Sequence, residues 1–290
     1  MKRLLKKFFN PLTKIENENI TFDMGVWKSI GLVLLWQLIT LIFVLLTTFT
    51  LLLRFKSEGS ILSINAVLEL ATLPIMILIF NKIFGKKTNE INTFKKINKK
   101  TIFHVTLLLM SFRLLFNAFI LPILMKIPES DSLIQAEQTL NTSIVYAILS
   151  ACIIAPIIEE VVFRGIILNG MLKRYSPTTA IVISSLIFAI IHGNIHQAVN
   201  AFVLALIIGY VFYKTRSIYL AIFCHFINNA SAFFLLMPET GIGIIINIII
   251  SSLIGITILI YLKKNMNLNY EQHFVSTLPL DENLYSNDEI

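Results

Sequence analysis

Residues 157–164 read IIEEVVFR, two adjacent carboxylates and a guanidinium inside an apolar run that extends from about 143 to 172. A run of that length exceeds the roughly 20 apolar residues that cross the hydrocarbon of a bilayer. The stretch therefore reads as the interior of a membrane span. Each ionisable side chain at the centre of a span costs about 2.5–3.5 kcal/mol by insertion scales, so Glu159, Glu160 and Arg164 need either pairing or a chemical task.

Composition sets the frame around this stretch. Of the 290 residues 56% are hydrophobic and 14% charged, and the mean hydropathy is +0.78, which is too apolar for soluble domains of this size. Apolar runs at about 27–53, 61–81, 102–125, 143–172, 178–193, 198–213, 218–237 and 241–262 give eight candidate spans. Placing the N-terminus in the cytoplasm puts 1–28, 82–100, 173–176, 214–216 and 263 onward on that side, and these segments hold nineteen of the twenty-four Lys and Arg. Arg54, Lys56 and Lys126 fall outside, and Arg113 and Arg164 lie within spans. That asymmetry is what the positive-inside rule asks of an eight-span protein in a cell membrane. The expected fold is an all-α polytopic transmembrane helical bundle of about eight spans with both termini cytoplasmic.

Four segments follow along the chain. Residues 1–26 open with MKRLLKKFF, a basic amphipathic stretch suited to an anionic lipid surface. The apolar run after it is too long for a signal peptide and lacks a small-x-small cleavage site. Residues 27–142 carry the first spans and one sizeable external loop, KIPESDSLIQAEQTLN, with room for a short helix. Residues 143–262 carry the remaining spans and every polar cluster discussed below, and 263–290 form an acidic tail whose composition predicts disorder. The net charge of +7 is distributed in blocks beside spans, which fits membrane orientation and not nucleic-acid binding. Cys152 and Cys224 stand alone within spans, with no zinc or redox spacing. Nothing in the sequence fixes an oligomeric state.

Glu160 and Arg164 are four apart, so a helix brings them to one face with the acid N-terminal to the base, the favourable order for a pair. Glu159 is offset by about 100° and cannot share that guanidinium, which leaves it as a candidate general base. Read alone, the three groups would also fit a buried ion network that only locks helices together. Two further spans weigh against that. FAIIHGNIH places Phe188 and His192 on one face, and CHFINN places His225 and Asn229 on one face, each within a different apolar run. Three separate spans thus each supply groups that complement a carboxylate. His196, four after His192, reads as a loop residue; His104 reads as interfacial and His273 as part of the tail. Glu69 and Arg113 read as internal ion partners, snorkelling groups, or lipid or substrate contacts.

The order Glu159-Glu160-x-x-x-Arg164, Phe188-x-x-x-His192, His225-x-x-x-Asn229 resembles the motif set of the CPBP intramembrane proteases, which include CAAX prenyl endopeptidases and bacteriocin-processing or immunity proteins. The resemblance covers about residues 143–236. It implies a helical membrane endopeptidase in which Glu159 activates water, His192 helps hold or deprotonate it, and His225 and Asn229 stabilise the oxyanion. Glu160, Arg164 and Phe188 would support these groups. Such a site needs no cofactor. The family's glutamates and histidines can also be read as zinc ligands, in which case Glu159, His192 and His225 would supply three. Asn229 is a poor metal ligand and a good oxyanion donor, which favours the metal-free reading.

Two other classes compete with a membrane peptidase acting on a membrane-associated peptide or protein. A proton- or ion-coupled transporter also uses intramembrane carboxylates and histidines, although no pair of Gly/Pro-broken spans marks corresponding halves. A non-catalytic scaffold or immunity factor would use the same fold to hold a partner. The Lys-, Ile- and Asn-heavy composition points to an AT-rich bacterial genome, where a small membrane peptide suits the fold better than a prenylated protein.

Overall fold

The structure is a computed structural model that describes residues 15, 20–70, 72–87, 97–234 and 241–268. Helices dominate it: α1 (Val26–Leu52), α2 (Glu58–Glu69), α3 (Thr72–Phe84), α4 (Lys99–Leu124), α5 (Asp131–Asn141), α6 (Ile144–Met171), α7 (Pro177–Ile190), α8 (Ile195–Thr215), α9 (Ile218–Phe234) and α10 (Gly241–Asn265). Their starts are written in the sequence. Ser57, Asn98, Ser130, Ser143, Ser176 and Asn194 each accept a hydrogen bond from the backbone N–H three residues on, satisfying a donor that the first turn leaves without a partner.

Among the described residues six helices are long and apolar enough to cross a membrane: Val26–Leu52, Glu58–Phe84, Lys99–Leu124, Ile144–Met171, Ile195–Thr215 and Gly241–Asn265. The eight apolar runs all become helix, but α7 with 14 residues and α9 with 17 reach only about 21 and 25 Å against a hydrocarbon core of about 30 Å. α9 carries His225 and the turn after α7 carries His192, and both short helices are packed within the bundle between longer neighbours, α7 on α8 and α9 on α4, α6 and α8. The outer helices face the other way. On α1 Leu34, Leu38, Leu41, Leu45 and Leu52 are exposed at helical spacing, and α10 exposes Ile242, Ile246, Ile249, Leu253 and Ile260. Such stripes are stable against lipid and not against water.

Two helices contain wide, i→i+5 bonded turns. In α4 one covers Phe116–Ile120 and in α6 they cover Ile148–Ile154 and Val161–Leu168. The first two end two residues before Pro122 and Pro156, whose rings remove an N–H from the helical ladder and force the backbone to widen ahead of them. Between the two wide turns of α6 regular α-helix covers Ala155–Glu160, so the two glutamates sit on a short straight piece between two wide ones.

Four expectations change. Residues 20–22 pair antiparallel with 85–87 in a three-residue ribbon, β1 with β2, and Ile15, Phe22 and Met24 are buried in the core, so this part of the N-terminal segment packs against the bundle. His104 is buried, not interfacial, because α10 covers it with Tyr261, the ring centroids 5.9 Å apart. His196 lies in the first turn of α8, not in a loop, with Asn194 as the cap. α7 ends at Ile190, leaving His192 in the turn that follows, where Gly193 takes a φ of +70° that a side chain would resist. The external loop does hold a helix, α5. The basic stretch at 1–9 and the tail beyond 268 lie outside the described residues.

Gly170 fixes where β1 meets α6. A methyl group there would lie 2.7 Å from the carbonyl oxygen of Phe22 and 2.5 Å from Met24 Cγ, whereas one at Gly31 on α1 would meet nothing within 4 Å. Gly170→Ala is expected to destabilise by about 1–3 kcal/mol through overpacking, read as a lower melting temperature in detergent. Gly31→Ala should leave it unchanged or raise it, by up to about 1 kcal/mol. Equal melting of the two variants would contradict this packing.

Candidate active site

Among the described residues Glu160 is the best-buried charge, with a side chain 0% exposed. Its Oε1 accepts from Arg164 Nη1 at 2.9 Å, one turn along α6, and from His225 Nδ1 on α9 at 2.7 Å. Arg164, 3% exposed, spends a second nitrogen on the carbonyl of Ala205 in α8 at 3.2 Å. One carboxylate therefore ties α6 to α9, and its guanidinium partner ties α6 to α8. A buried charge is tolerated when it is paired and hydrogen-bonded in this way.

Glu159 differs from its neighbour in every respect. Its side chain is 19% exposed, and it pairs with no cation at hydrogen-bonding distance; His225 Nε2 lies 3.9 Å from its Oε2. That gap is too long for a direct hydrogen bond and suits one bridging water. Because Nδ1 of His225 serves Glu160, the ring is turned so that Nε2 faces Glu159.

His192 is held by the turn beyond α7. Its Nδ1 donates to the carbonyl of Phe188 at 2.8 Å, and since that oxygen can only accept, the ring of a neutral His192 carries its proton on Nδ1 and keeps a lone pair on Nε2. His192 lies within electrostatic reach of Glu159. Phe188, fully buried, is the hub of the packing: its ring stands edge-to-face with Phe163 at 4.8 Å, His192 at 5.0 Å and His225 at 6.0 Å, and the Arg164 guanidinium lies 5.2 Å from its centroid. Asn229 Nδ2 donates to the carbonyl of Ala151 at 2.7 Å, inside the first wide turn of α6, and its Oδ1 accepts from Asn228 Nδ2 at 2.9 Å. Asn229 thereby has its orientation set from both ends and one N–H left over.

A cavity of about 350 Å³ reaches Glu159 from the side of α5. Trp36 of α1, Glu69 of α2, Leu140 of α5, and Tyr146, Ile154 and Ile158 of α6 are among the residues in its wall. His192, His225 and Asn229 are not in that wall, so the cavity meets the polar cluster at Glu159. His196 is remote from this chemistry, its Nε2 paired at 3.1 Å with the carbonyl of Leu124. Among the described residues no group of three or more His, Cys, Asp or Glu is arranged to hold a metal ion. Asn228 and Trp36 carry no mark in the sequence, since an Asn beside Asn229 and a Trp in the first span form no pattern.

A family model described as Type II CAAX prenyl endopeptidase Rce1-like matches residues 141–231. The match covers α6 to the end of the cluster on α9. Among curated proteins, the one named "Putative membrane peptidase YdiL" from Bacillus subtilis (strain 168) is 29% identical over 82 residues. That alignment takes in 28% of this chain and 34% of the relative, so the chain covers about a third of the relative's length. No solved structure matches the chain.

The two adjacent glutamates should respond differently to neutralisation. Glu160→Gln leaves Arg164 buried without its counter-charge and is expected to destabilise by about 3–5 kcal/mol, seen as a large drop in melting temperature. Glu159→Gln breaks no pair and should melt within a few degrees of the wild type. A reversed order would show that Glu159 is the structural member.

Proposed function

We propose that this chain, whose residues 141–231 match the Rce1-like endopeptidase model, is a CPBP-type intramembrane endopeptidase that hydrolyses a peptide bond of a membrane-associated peptide or protein. The observation that carries this reading is the division of labour between neighbours. Glu160 is consumed by Arg164 and His225, while Glu159 stands at the end of a cavity with no cation bound to it.

In the proposed reaction a water sits between Glu159 and the lone pair on His192 Nε2. Glu159 takes its proton as the oxygen attacks the scissile carbonyl carbon. The carbonyl oxygen becomes an oxyanion, for which the free N–H of Asn229 and, when it is protonated, Nε2–H of His225 are the donors. The C–N bond then breaks and the leaving amine takes the proton held by Glu159. Glu160 and Arg164 touch no reacting atom in this scheme. They position His225, as a carboxylate behind an imidazole does in hydrolytic triads. The surrounding bundle keeps bulk water away, which strengthens each of these interactions. The site lies in a cell membrane, with both termini on the cytoplasmic side and the basic N-terminal segment at anionic lipid; the asymmetry of Lys and Arg supports this orientation.

Purified protein reconstituted in lipid nanodiscs and incubated with membrane peptides tests the proposal by mass spectrometry of the products. Wild type is expected to cleave, and Glu159→Ala to abolish cleavage. His192→Ala should lower kcat by about 10²–10⁴-fold and Asn229→Ala by about 10²–10³-fold, with folding retained. Cleavage that survives Glu159→Ala would overturn the assignment.

A further inference from the structure

The cavity that ends at Glu159 holds a second carboxylate that the proposed hydrolysis does not use. Glu69, at the C-terminal end of α2, lies in the same wall and is half-buried. Among the described residues its side chain has no hydrogen-bond or ion-pair partner, although it is close enough to Glu159 for the two to interact electrostatically. Among the described residues no Lys, Arg or His lines the cavity. A void inside a lipid-facing bundle thus carries two carboxylates and no cation, an arrangement that gains from a cationic occupant. The approach has the same sign: the loop and α5 over residues 126–142 contain Glu129, Asp131 and Glu137 against Lys126.

The rest of the wall describes the occupant. Trp36, 8% exposed, gives it an aromatic side. The remaining wall is aliphatic, with Leu140, Ile154, Ala155 and Ile158, and about 350 Å³ is room for a short piece of extended chain and not for a folded segment.

We propose that Glu69 is a specificity-determining residue: it binds an ammonium or guanidinium group of an otherwise aliphatic peptide, and so sets which peptide bond lies at Glu159. This rests on the endopeptidase reading for its consequence, but the cation site itself is a binding property and can be measured without cleavage.

The chain has two tryptophans, Trp27 and Trp36, so Trp27→Phe leaves Trp36 as a fluorescent reporter within the cavity wall. In that background with Glu159→Gln, three probes are titrated: acetyl-Leu-Leu-Lys-Leu-Leu-amide, the same peptide with norleucine for lysine, and the norleucine peptide with a free N-terminus. The lysine peptide is expected to bind at least about tenfold more tightly than the blocked norleucine peptide, and Glu69→Gln to remove most of that difference while leaving the norleucine affinity within about twofold. Tight binding of the free-terminus probe would identify a terminal ammonium as a cation source beside a side chain. Equal binding of lysine and norleucine peptides, or equal weakening of both by Glu69→Gln, would overturn the proposal. A lysine preference in a protein that cleaves nothing would instead sink the endopeptidase reading and leave the cation site standing. Cleavage of both peptides with equal kcat/KM by the wild type would do the reverse.

Discussion

A carboxylate with no exposure to solvent must find its partners inside the protein, and in this bundle Glu160 finds two, the Arg164 guanidinium and the His225 imidazole. The contacts at 2.9 Å to Arg164 and 2.7 Å to His225 bring three helices to one point, since Arg164 continues to the backbone of α8. Removing Arg164 would strand the Glu160 charge where water cannot reach it, which is far costlier than losing a surface ion pair. Most of the site's geometry follows from this constraint. His225 is turned with Nε2 toward Glu159, Phe188 is wedged among the two histidines and the guanidinium, and Glu159 is left without a fixed cation.

Helix irregularity does the rest. A regular α-helix through residues 148–168 would pair every carbonyl along its own ladder. The wide turn ahead of Pro156 disturbs that ladder, and the carbonyl of Ala151 within it is the one that Asn229 holds. Wide turns of this kind cluster at functional sites because they re-aim side chains at little cost to the helix as a whole. The shortness of α7 has a similar effect. It ends before His192, and Gly193 lets the chain reverse so that the imidazole remains beside Phe188 at 5.0 Å.

Much of this is legible in the sequence. Hydropathy located every apolar helix, and the four-residue spacings identified Glu160 with Arg164 and Phe188 with His192, because those contacts are local. What was not legible depends on tertiary packing. That His225 would serve Glu160, and only face Glu159, follows from how α9 is set against α6. His104 looked interfacial from its place near a span end, and only the docking of α10 buries it. His196 looked like a loop residue because the capping role of Asn194 has no hydrophobic signature. Glu69 was visible only as a lone carboxylate in an apolar run; its companionship with Glu159 in one cavity comes from α2 lying against α6.

The account stands on the claim that Glu159 is open to small molecules and Glu160 is not. Labelling of the wild-type protein with a hydrophobic carbodiimide, followed by fragmentation that resolves the adjacent residues, tests it most directly. Modification at Glu159 with Glu160 protected is the result this structure predicts. Equal modification of both, or modification of Glu160 first, would contradict it.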